Sequence, residues 1–274
     1  MKKVRKAIIP AAGYGTRSLP ITKVIPKELF PIGGKPAIHY IVEEAAASGI
    51  EEVLMIVSRN KNLIVDYFDQ SLELEAFLEK ENKLHLMEEV KIPKIHIQYI
   101  RQPYANGLGG AVNLGKQFTN NEPVAVILPD DIFINNQQPG LKQLINTYET
   151  YQQSVVALKK MEEDQLKNYG VIKGKEIKEG LYEMTDIVEK PLYSAPSNLA
   201  VIGRYILEPA IFSFLEKQIA GTGMEIQLTD AIKNMLEVSK CYGVEIKGDR
   251  YDIGSEKDYI KIVNNFYNSS KLKT

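Results

Sequence analysis

The sequence predicts an α/β protein with a doubly wound, mostly parallel sheet that has helices on both faces. In the first half of the chain, short apolar runs rich in β-branched residues alternate with helical patterns, which is typical of βαβ units. In the second half the rhythm changes to short β segments separated by turns, as in the sequence YGVIKG. This change indicates an added antiparallel β region.

Four apolar segments predict buried strands, over residues 4–10, 52–57, 95–100 and 124–128. Helical periodicity predicts helices over residues 37–48, 62–69 and 108–118. Strands that alternate with helices in this way pair in parallel, and a Rossmann-like sheet of this kind binds its ligands at the carboxyl ends of the strands. The loops that follow these strands are therefore where we expect a site.

Two regions depart from this alternation. Residues 73–89 are rich in Glu, Lys and Leu and predict an exposed helical excursion, whereas residues 169–204 predict antiparallel strands laid beside the parallel sheet. Further helices and a fraying polar tail are then expected, the helices over residues 209–218, 227–238 and 256–266 and the tail over residues 268–274. We see no clean inter-domain linker in the sequence.

The composition is that of an ordinary globular protein. The 274 residues include 34 basic and 35 acidic side chains, which gives a net charge of −1, and 44% of the residues are hydrophobic. This balance argues against a disordered chain and against a polycation that coats nucleic acid. No segment approaches the roughly 20 apolar residues that span a bilayer, and the first apolar run is too short for a signal peptide. We expect a cytoplasmic protein that binds neither nucleic acid nor membrane.

The cysteine and histidine content bears on whether the protein has a disulfide or a zinc site. Cys241 is the single cysteine, so an internal disulfide is excluded, a reducing compartment fits, and a small buried apolar side chain is expected. The three histidines, His39, His85 and His96, are scattered and have no second cysteine to join them, which argues against a zinc site.

A loop of small residues follows the first strand, with the sequence AAGYGTR over residues 11–17. Its glycines let backbone N–H groups approach an anion, and Arg17 adds a bidentate phosphate donor. Ser18 stands where a dinucleotide fingerprint needs a third glycine, and the sequence has no Walker A motif. The alternative is a turn that packing alone requires. The residues expected to contact a nucleotide are Ala11, Ala12, Gly13, Gly15 and Thr16.

A stiff basic segment comes next. Residues 20–31 contain three prolines and two lysines. Because proline fixes the backbone φ angle, such a loop can hold Lys23 and Lys27 beside a triphosphate without a supporting helix.

The two segments together carry a family resemblance. AAGYGTR over residues 11–17, followed by KELFP over residues 27–31, is similar to the signature of the sugar-phosphate nucleotidylyltransferases, and the similarity covers about residues 3–266. The resemblance implies transfer of a uridylyl group from UTP to glucose 1-phosphate with Mg²⁺ as cofactor. It also implies one domain, 1–274, with a nucleotide-binding part near 1–135, a sugar-phosphate-binding part near 136–267, and a homodimer or homotetramer. Arg17 and Lys27 would be catalytic, and Glu28 would contact the nucleotide.

A glutamine after the third parallel strand is the expected reader of the base. The Gln102 amide offers a donor and an acceptor, which suits a uracil edge, and Gly107 allows the backbone to approach a base. The resemblance implies that these two residues read uracil. Gly110 departs from the family pattern, which commonly has histidine there, and this puts helix packing or the local metal and phosphate geometry in question.

Two adjacent acids, Asp130 and Asp131, end the fourth parallel strand. Mg²⁺ prefers one or two carboxylates plus phosphates and water, and successive strand residues point in opposite directions, so at most one of the pair is expected to hold a metal. The resemblance implies Asp130 as the ligand, Asp131 nearer the sugar or the strand terminus, and Asp252 as a second ligand. The run SEKDY at residues 255–259 departs from the family pattern. A pair of turn-capping acids is the alternative.

The antiparallel part supplies the residues expected to bind the sugar phosphate. The resemblance implies that Glu189 bridges sugar hydroxyls and that Lys190 neutralises the phosphate as a third catalytic residue. Gly170 and Gly203 match positions where the backbone approaches the sugar. The run EIQLTD at residues 225–230 also matches the family, with Glu225 near the sugar, although Thr229 or Asp230 in that run could simply cap a helix.

Three other functions stay open on the sequence. Uracil and thymine share the edge that a glutamine would read, so another nucleotide such as dTTP, or another sugar 1-phosphate, fits the same chemistry. A non-catalytic regulatory protein that binds UDP-sugars fits the same fold. A nicotinamide-dependent enzyme is a distant third because of Ser18.

Overall fold

The structure, a computed structural model, describes residues 2–88, 91–135, 137–218 and 225–271. The strands of these ranges are β1 (Lys6–Pro10), β2 (Pro31–Ile32), β3 (Lys35–Pro36), β4 (Glu52–Val57), β5 (His96–Arg101), β6 (Val124–Ile127), β7 (Asp131–Ile134), β8 (Ser154–Lys160), β9 (Gly170–Lys178), β10 (Leu181–Glu189), β11 (Leu199–Leu207), β12 (Cys241–Glu245) and β13 (Asp249–Asp252). The helices are α1 (Ala37–Ala47), α2 (Asn62–Phe68), α3 (Leu72–Lys80), α4 (Leu108–Leu114), α5 (Lys116–Thr119), α6 (Gly140–Tyr151), α7 (Glu163–Leu166), α8 (Ile211–Lys217), α9 (Leu228–Met235) and α10 (Glu256–Lys271). Short 3-10 segments lie at Thr16–Ser18, Ile21–Lys23, Lys27–Leu29 and Leu84–Glu88.

Nine strands form one sheet in the order β5-β4-β1-β6-β11-β8-β12-β10-β9, and β9 also pairs with β11. β1 runs parallel to both β4 and β6, with Ile8 opposite Leu54 on one side and Val126 on the other, and β4 runs parallel to β5. The four strands predicted to be parallel therefore pair as expected.

Both faces of this sheet are covered, as a doubly wound fold requires. Neighbouring residues of β1 point to opposite faces. Ile9 packs in one apolar cluster with Ile41 of α1 and Leu144 of α6, and Ile8 packs in a second cluster with Val112 of α4. Each of these side chains is at most 1% exposed. At about 1.5–3 kcal/mol for each fully buried aliphatic side chain, the two layers fix the sheet from which the polar loops project.

The antiparallel strands lie within the main sheet, which corrects the expectation that they lie beside it. Within the predicted region 169–204, β9 and β10 pair antiparallel as expected. β11 lies between β6 and β8 and is antiparallel to both. Every residue of β11 is buried. A strand that is apolar on both faces needs cover on both faces, which the centre of this sheet supplies and its edge does not. β12 runs parallel to β8 and joins β10 to the rest.

The predicted helices match the observed ones with three exceptions. The helix expected over residues 108–118 is interrupted at Gly115, between α4 and α5. The excursion at residues 73–89 forms α3 and then a 3-10 segment, and residue 89 lies outside the described residues. The expectation that the tail frays from residue 268 is wrong as far as Lys271, because Ile262 and Phe266 pack α10 against the core; residues 272–274 lie outside the described residues.

A two-stranded ribbon of β7 and β13 lies next to the main sheet. Its register places Asp252 opposite Asp131, so a segment near the end of the chain reaches the turn that follows β6. Cys241, at the start of β12, is fully buried as expected, and burial raises the pKa of its thiol to about 12. Among the helices of the described ranges, none combines the length and apolar character that a membrane span requires.

Candidate active site

A cleft of about 710 Å³ opens where β1 and β6 end, the edge at which a doubly wound sheet binds ligands. The residues assigned to the site from the sequence line this cleft, with two exceptions, Lys23 and the fully buried Ala11. Lys23, expected beside the phosphates with Lys27, is exposed and lies outside the lining. The cleft therefore joins the glycine loop, the Gln102 loop, the acidic turn and the antiparallel strands.

The two glycines of the first loop differ in their backbone conformation and in the space around them. Gly15 adopts the left-handed φ of +65°, and a Cβ on it would lie 3.0 Å from Thr22 Cγ2. The Thr22 hydroxyl also donates a 2.9 Å hydrogen bond to the Gly15 carbonyl. A Cβ on Gly13 would meet nothing within 4 Å. Gly15 is thus required by the turn itself, whereas Gly13 leaves open backbone facing the cleft.

Lys27 and Arg17 pair with the acidic residues across the cleft. Lys27 Nζ donates to Asp130 Oδ2 at 2.6 Å, and Arg17 lies 3.8 Å from Asp130 and 3.2 Å from Asp252. Burial alone would lower the pKa of Lys27, but attraction to Asp130 and Glu28 outweighs burial and raises it. Burial would raise the pKa of Asp130, but Lys27 and then Arg17 bring it below its ordinary value. Both groups are charged at neutral pH.

Asp252 reaches Asp130 through backbone contacts as well as the β-ribbon. The Ile253 N–H donates to the Asp130 carbonyl at 2.9 Å, and the Gly254 N–H donates to Asp252 Oδ1 at 2.9 Å. A Cβ on Gly254 would lie 2.5 Å from Arg17 Nη2. The glycine two residues after Asp252 therefore makes room for the guanidinium that contacts both acids.

The two carboxylates have the donor chemistry that suits a hard divalent cation. One guanidinium, that of Arg17, contacts both Asp130 and Asp252, so a positive charge already lies between them. Mg²⁺ takes one or two carboxylates and fills its remaining positions with phosphate and water oxygens. Asp252 occupies this position although residues 255–259 depart from the family pattern.

Glu28 lines the cleft, but its carboxylate pairs with a buried lysine that lies outside the cleft lining. Lys61, just before α2, donates to Glu28 Oε2 at 2.6 Å, and the two side chains are 4% and 1% exposed. Burial lowers the pKa of Lys61 more than the attraction of Glu28 raises it. Glu28 of this buried pair directly follows Lys27 in the chain, and Lys61 was not among the residues predicted from the sequence.

The loop expected to read the base is held against residue 226. Gln102 is 6% exposed, and its Nε2 donates to Asn106 Oδ1 at 2.6 Å. Gly107 adopts a φ of +93°, and a Cβ there would lie 2.6 Å from the carbonyl oxygen of Ile226. The glycine is therefore required by packing against Ile226 in addition to any approach to a base.

Glu189 and Thr229 meet at the antiparallel end of the cleft. The Thr229 hydroxyl donates to Glu189 Oε2 at 2.6 Å. The capping position of α9 is Gln227, with no side-chain capping bond, so the alternative that Thr229 caps this helix is wrong. A Cβ on Gly170 would lie 3.2 Å from the Thr229 hydroxyl and 3.4 Å from Glu189 Oε2. The absence of a side chain at residue 170 leaves this carboxylate accessible from the cleft.

Lys190 has a strained backbone at the mouth of the cleft. Its φ is +45°, a left-handed conformation that is costly for a residue with a Cβ, and its N–H donates to the Tyr169 carbonyl at 3.0 Å. The side chain is 55% exposed and lies 3.4 Å from Glu189 Oε1. The ammonium is thus free to turn toward an anionic ligand.

Asp131 pairs with Arg250, which was not among the residues predicted from the sequence. Arg250 Nε lies 2.5 Å from Asp131 Oδ1, and its other nitrogens donate to Asp131 Oδ2 at 2.9 Å and to the Tyr169 hydroxyl at 3.1 Å. Burial would lower the pKa of Arg250, but Asp131 and Tyr169 raise it above its ordinary value. A Cβ on Gly203 would lie 2.7 Å from Asp131 Cβ, so Gly203 leaves room for this pair.

The similarity to known proteins covers nearly the whole chain. The family model for nucleotidyl transferases matches residues 6–269. The chain belongs to the nucleotidyl transferase family.

Related nucleotidyl transferases match at high identity over nearly their whole length. A Bacillus subtilis (strain 168) protein, provisionally named a UTP–glucose-1-phosphate uridylyltransferase, is 56% identical over 98% of each chain. A Staphylococcus epidermidis (strain RP62A) UTP–glucose-1-phosphate uridylyltransferase is 46% identical over 95% of this chain and 91% of its own. A solved UDP-glucose pyrophosphorylase in complex with UDP-glucose is 44% identical, with a TM-score of 0.86 over 97% of this chain and 99% of its own.

The cleft of this nucleotidyl transferase is also lined by polar side chains that were not predicted from the sequence. Arg250 and Tyr205 are among them. Each lies two residues from a predicted site residue on the same strand, Arg250 before Asp252 on β13 and Tyr205 after Gly203 on β11. Because alternate strand residues share a face, this spacing was a usable signal once the strands were located.

Proposed function

We propose that this nucleotidyl transferase transfers the uridylyl group of UTP to α-D-glucose 1-phosphate, giving UDP-glucose and pyrophosphate. The observation that carries the proposal is one cleft that unites the Lys27 ammonium, the Asp130 and Asp252 carboxylates and the hydrogen-bonded Glu189. The names of relatives at 46–56% identity, and a structural neighbour solved with UDP-glucose, support UTP and glucose 1-phosphate as the substrates.

The reaction is a single in-line displacement at the α-phosphorus of UTP. An oxygen of the sugar phosphate forms a bond to that phosphorus while the bond to the oxygen bridging to the β-phosphate breaks, and pyrophosphate leaves with the electron pair. The sugar phosphate is already ionised at neutral pH, so the step needs no side-chain nucleophile. Catalysis is then positioning and charge stabilisation. Arg17 and Lys27 stabilise the charge on the leaving pyrophosphate, and Lys190 holds the attacking phosphate.

The remaining cleft residues position the substrates. The backbone of residues 11–16 binds phosphate oxygens, with Gly13 the most open position. Gln102 and Gly107 meet the uracil, and Glu189 accepts hydrogen bonds from hexose hydroxyls. We assign nucleotide binding to residues 1–135 and sugar-phosphate binding to residues 136–267 of one domain, with Asp131, Gly170 and Gly203 beside the sugar.

Asp130 and Asp252 are the residues that would hold a divalent metal, and we propose Mg²⁺. A bound Mg²⁺ would supply positive charge that offsets the repulsion between the two anionic substrates. The low pKa of Asp130 keeps this carboxylate ionised and ready to bind a cation at neutral pH. Arg17, which contacts both acids, is then available for phosphate.

Location and assembly form a smaller part of the proposal. A buried, lone Cys241 fits a reducing compartment, which supports the cytoplasm as the site of the reaction. A homodimer or homotetramer remains a prediction that sedimentation of the purified chain will test.

A substrate panel tests the proposed function directly. Pyrophosphate release is measured with UTP, dTTP, ATP and CTP, each paired with several sugar 1-phosphates, with and without Mg²⁺. The expected result is fastest turnover with UTP and glucose 1-phosphate and none without a divalent metal. Fastest turnover with dTTP, or with another sugar phosphate, would replace the substrates proposed here. Binding of UDP-glucose with no turnover of any pair would instead make the chain a regulatory protein.

A further inference from the structure

Two amide side chains meet in the loop between β5 and α4. Gln102 Nε2 donates to Asn106 Oδ1 at 2.6 Å. The Asn106 amide occupies the space that a side chain at position 110 would fill, because a Cβ on Gly110 would overlap Asn106 Oδ1 and lie 2.7 Å from Nδ2. Gly110, the position that departs from the family pattern, is therefore the residue that lets Asn106 reach Gln102.

The backbone around Asn106 leaves little freedom for the loop to move. The Ile226 N–H donates to the Asn106 carbonyl at 2.7 Å, and the Gly109 N–H donates to the Ile226 carbonyl at 2.8 Å. Gly107, between them, already packs so closely on Ile226 that a Cβ would lie 2.6 Å from its carbonyl oxygen. A side chain at position 110 is therefore expected to displace the Asn106 amide rather than the loop.

The orientation of a primary amide decides which pyrimidine it accepts. An amide offers one oxygen acceptor and two N–H donors, and a half-turn of the group exchanges the oxygen and the nitrogen. Uracil presents the O4 acceptor next to the N3–H donor, whereas cytosine presents an amino donor next to the N3 acceptor. The orientation that suits one base opposes the other. In the structure Asn106 presents its oxygen to Gln102, which commits one N–H of Gln102 and matches one orientation of the Gln102 amide.

We propose that Asn106, seated against Gly110, is a positioning residue that holds the Gln102 amide in the orientation that accepts uracil and rejects cytosine. The proposal rests on the proposed function, since it requires that Gln102 meets the base of UTP. Asn106 acts through Gln102 and has no part in the displacement itself. Its effect therefore falls on the choice of nucleotide.

The test compares kcat/KM for UTP and CTP, each with glucose 1-phosphate, in the full chain. Asn106→Ala removes the hydrogen bond, and Gly110→Ala displaces the Asn106 amide. Loss of one neutral hydrogen bond is expected to lower the preference for UTP over CTP about five- to tenfold, with the change in KM for UTP rather than in kcat. Asn106→Asp keeps an acceptor oxygen and is expected to retain the wild-type preference. Asn234→Ala, at an exposed position of α9, is the matched control.

Gly110→Ala also separates positioning from stability. Alanine favours a helix over glycine by about 1 kcal/mol, so a loss of base preference without a loss of unfolding free energy in urea supports the proposal. An unchanged preference in both Asn106→Ala and Gly110→Ala, while the wild type uses UTP, overturns it and leaves the proposed function standing. If Asn106→Ala does not fold, Gly110→Ala decides alone: a lowered preference for UTP supports the proposal, and an unchanged preference overturns it. A wild type that fails to use UTP overturns the proposed function, and this inference with it.

Discussion

Lys61 pairs with Glu28 in the segment proposed to face the phosphates of UTP, and its removal is expected to affect both the stability of the fold and the binding of UTP. Its ammonium donates to Glu28 at 2.6 Å, and the two side chains are 4% and 1% exposed. Glu28 in turn helps to raise the pKa of its neighbour Lys27. In Lys61→Met an apolar side chain of similar length leaves the Glu28 carboxylate buried without its partner.

The expected loss of stability follows from the burial of the pair. Removing one partner of a fully buried ion pair costs about 3–5 kcal/mol, against about 5–15 kcal/mol for the stability of a whole domain. We expect the free energy of unfolding, measured by circular dichroism in urea, to fall by that amount in Lys61→Met. Adding Glu28→Gln is expected to recover most of the loss, because an amide needs no counter-charge. Lys116→Met is the matched control: the Lys116–Glu216 pair is 50% and 47% exposed, so its loss costs at most about 1 kcal/mol.

The same variant is expected to raise the KM for UTP more than it lowers kcat, since an uncompensated Glu28 charge opposes a triphosphate. The reasoning would be refuted by a Lys61→Met protein as stable as the Lys116→Met control, or by a double variant no more stable than Lys61→Met alone.

Two further predictions concern buried groups outside the cleft lining. Arg204 is fully buried and donates to both carboxylate oxygens of Glu44 at 3.0 and 2.7 Å, so Arg204→Met is expected to lower the free energy of unfolding in urea by about 3–5 kcal/mol; a loss below about 1 kcal/mol would contradict this. Burial lowers the pKa of His39 below 6.5, against the opposing effect of Glu43, so the unfolded chain takes up this proton more readily than the folded chain. Stability linked to His39 is then present above about pH 6.5 and lost as the pH falls toward the lowered value. His39→Gln is expected to flatten that part of the curve of unfolding free energy against pH, and equal slopes in the two proteins would count against the assignment.

The parallel half of the fold was predictable because its signals are local. A buried parallel strand such as β4 is a continuous apolar run, and its bounds, Glu52–Val57, match the predicted ones. The glycine loop after β1 and the paired acids after β6 were also predictable from their positions, because ligands of such sheets bind where the strands end. The sequence therefore predicted about half of the residues that line the cleft. Of these, Asp252, Glu189, Lys190, Gly170 and Gly203 came from the resemblance.

The buried ion pairs were not predictable, because their partners lie far apart in the chain. Glu28 and Lys61 are separated by 33 residues, and Glu44 and Arg204 by 160. Nothing local distinguishes such a residue from one on a solvated face until the sheet order and the register are known. The position of β11 inside the sheet was not predictable for the same reason. It depends on which distant strands flank a strand that is buried on both faces.

Gly110 shows the same limit at the level of one side chain. The sequence marked it as a departure from the family pattern, but its consequence depends on where the Asn106 amide lies, and only the folded loop shows that. Gly110 lacks the side chain that the family commonly has at this position, and the space is occupied by the Asn106 amide.

The rate of Lys27→Met with UTP, glucose 1-phosphate and Mg²⁺ tests the central claim, that positive charge held in this cleft carries the reaction. Lys27 lies 2.6 Å from Asp130, whereas Lys23, four residues earlier in the same stiff segment, is exposed and outside the cleft. With a folded protein by circular dichroism, we predict that Lys27→Met lowers kcat by about 10²–10³ and that Lys23→Met leaves it near the wild-type value. A Lys27→Met enzyme as fast as Lys23→Met would contradict the account.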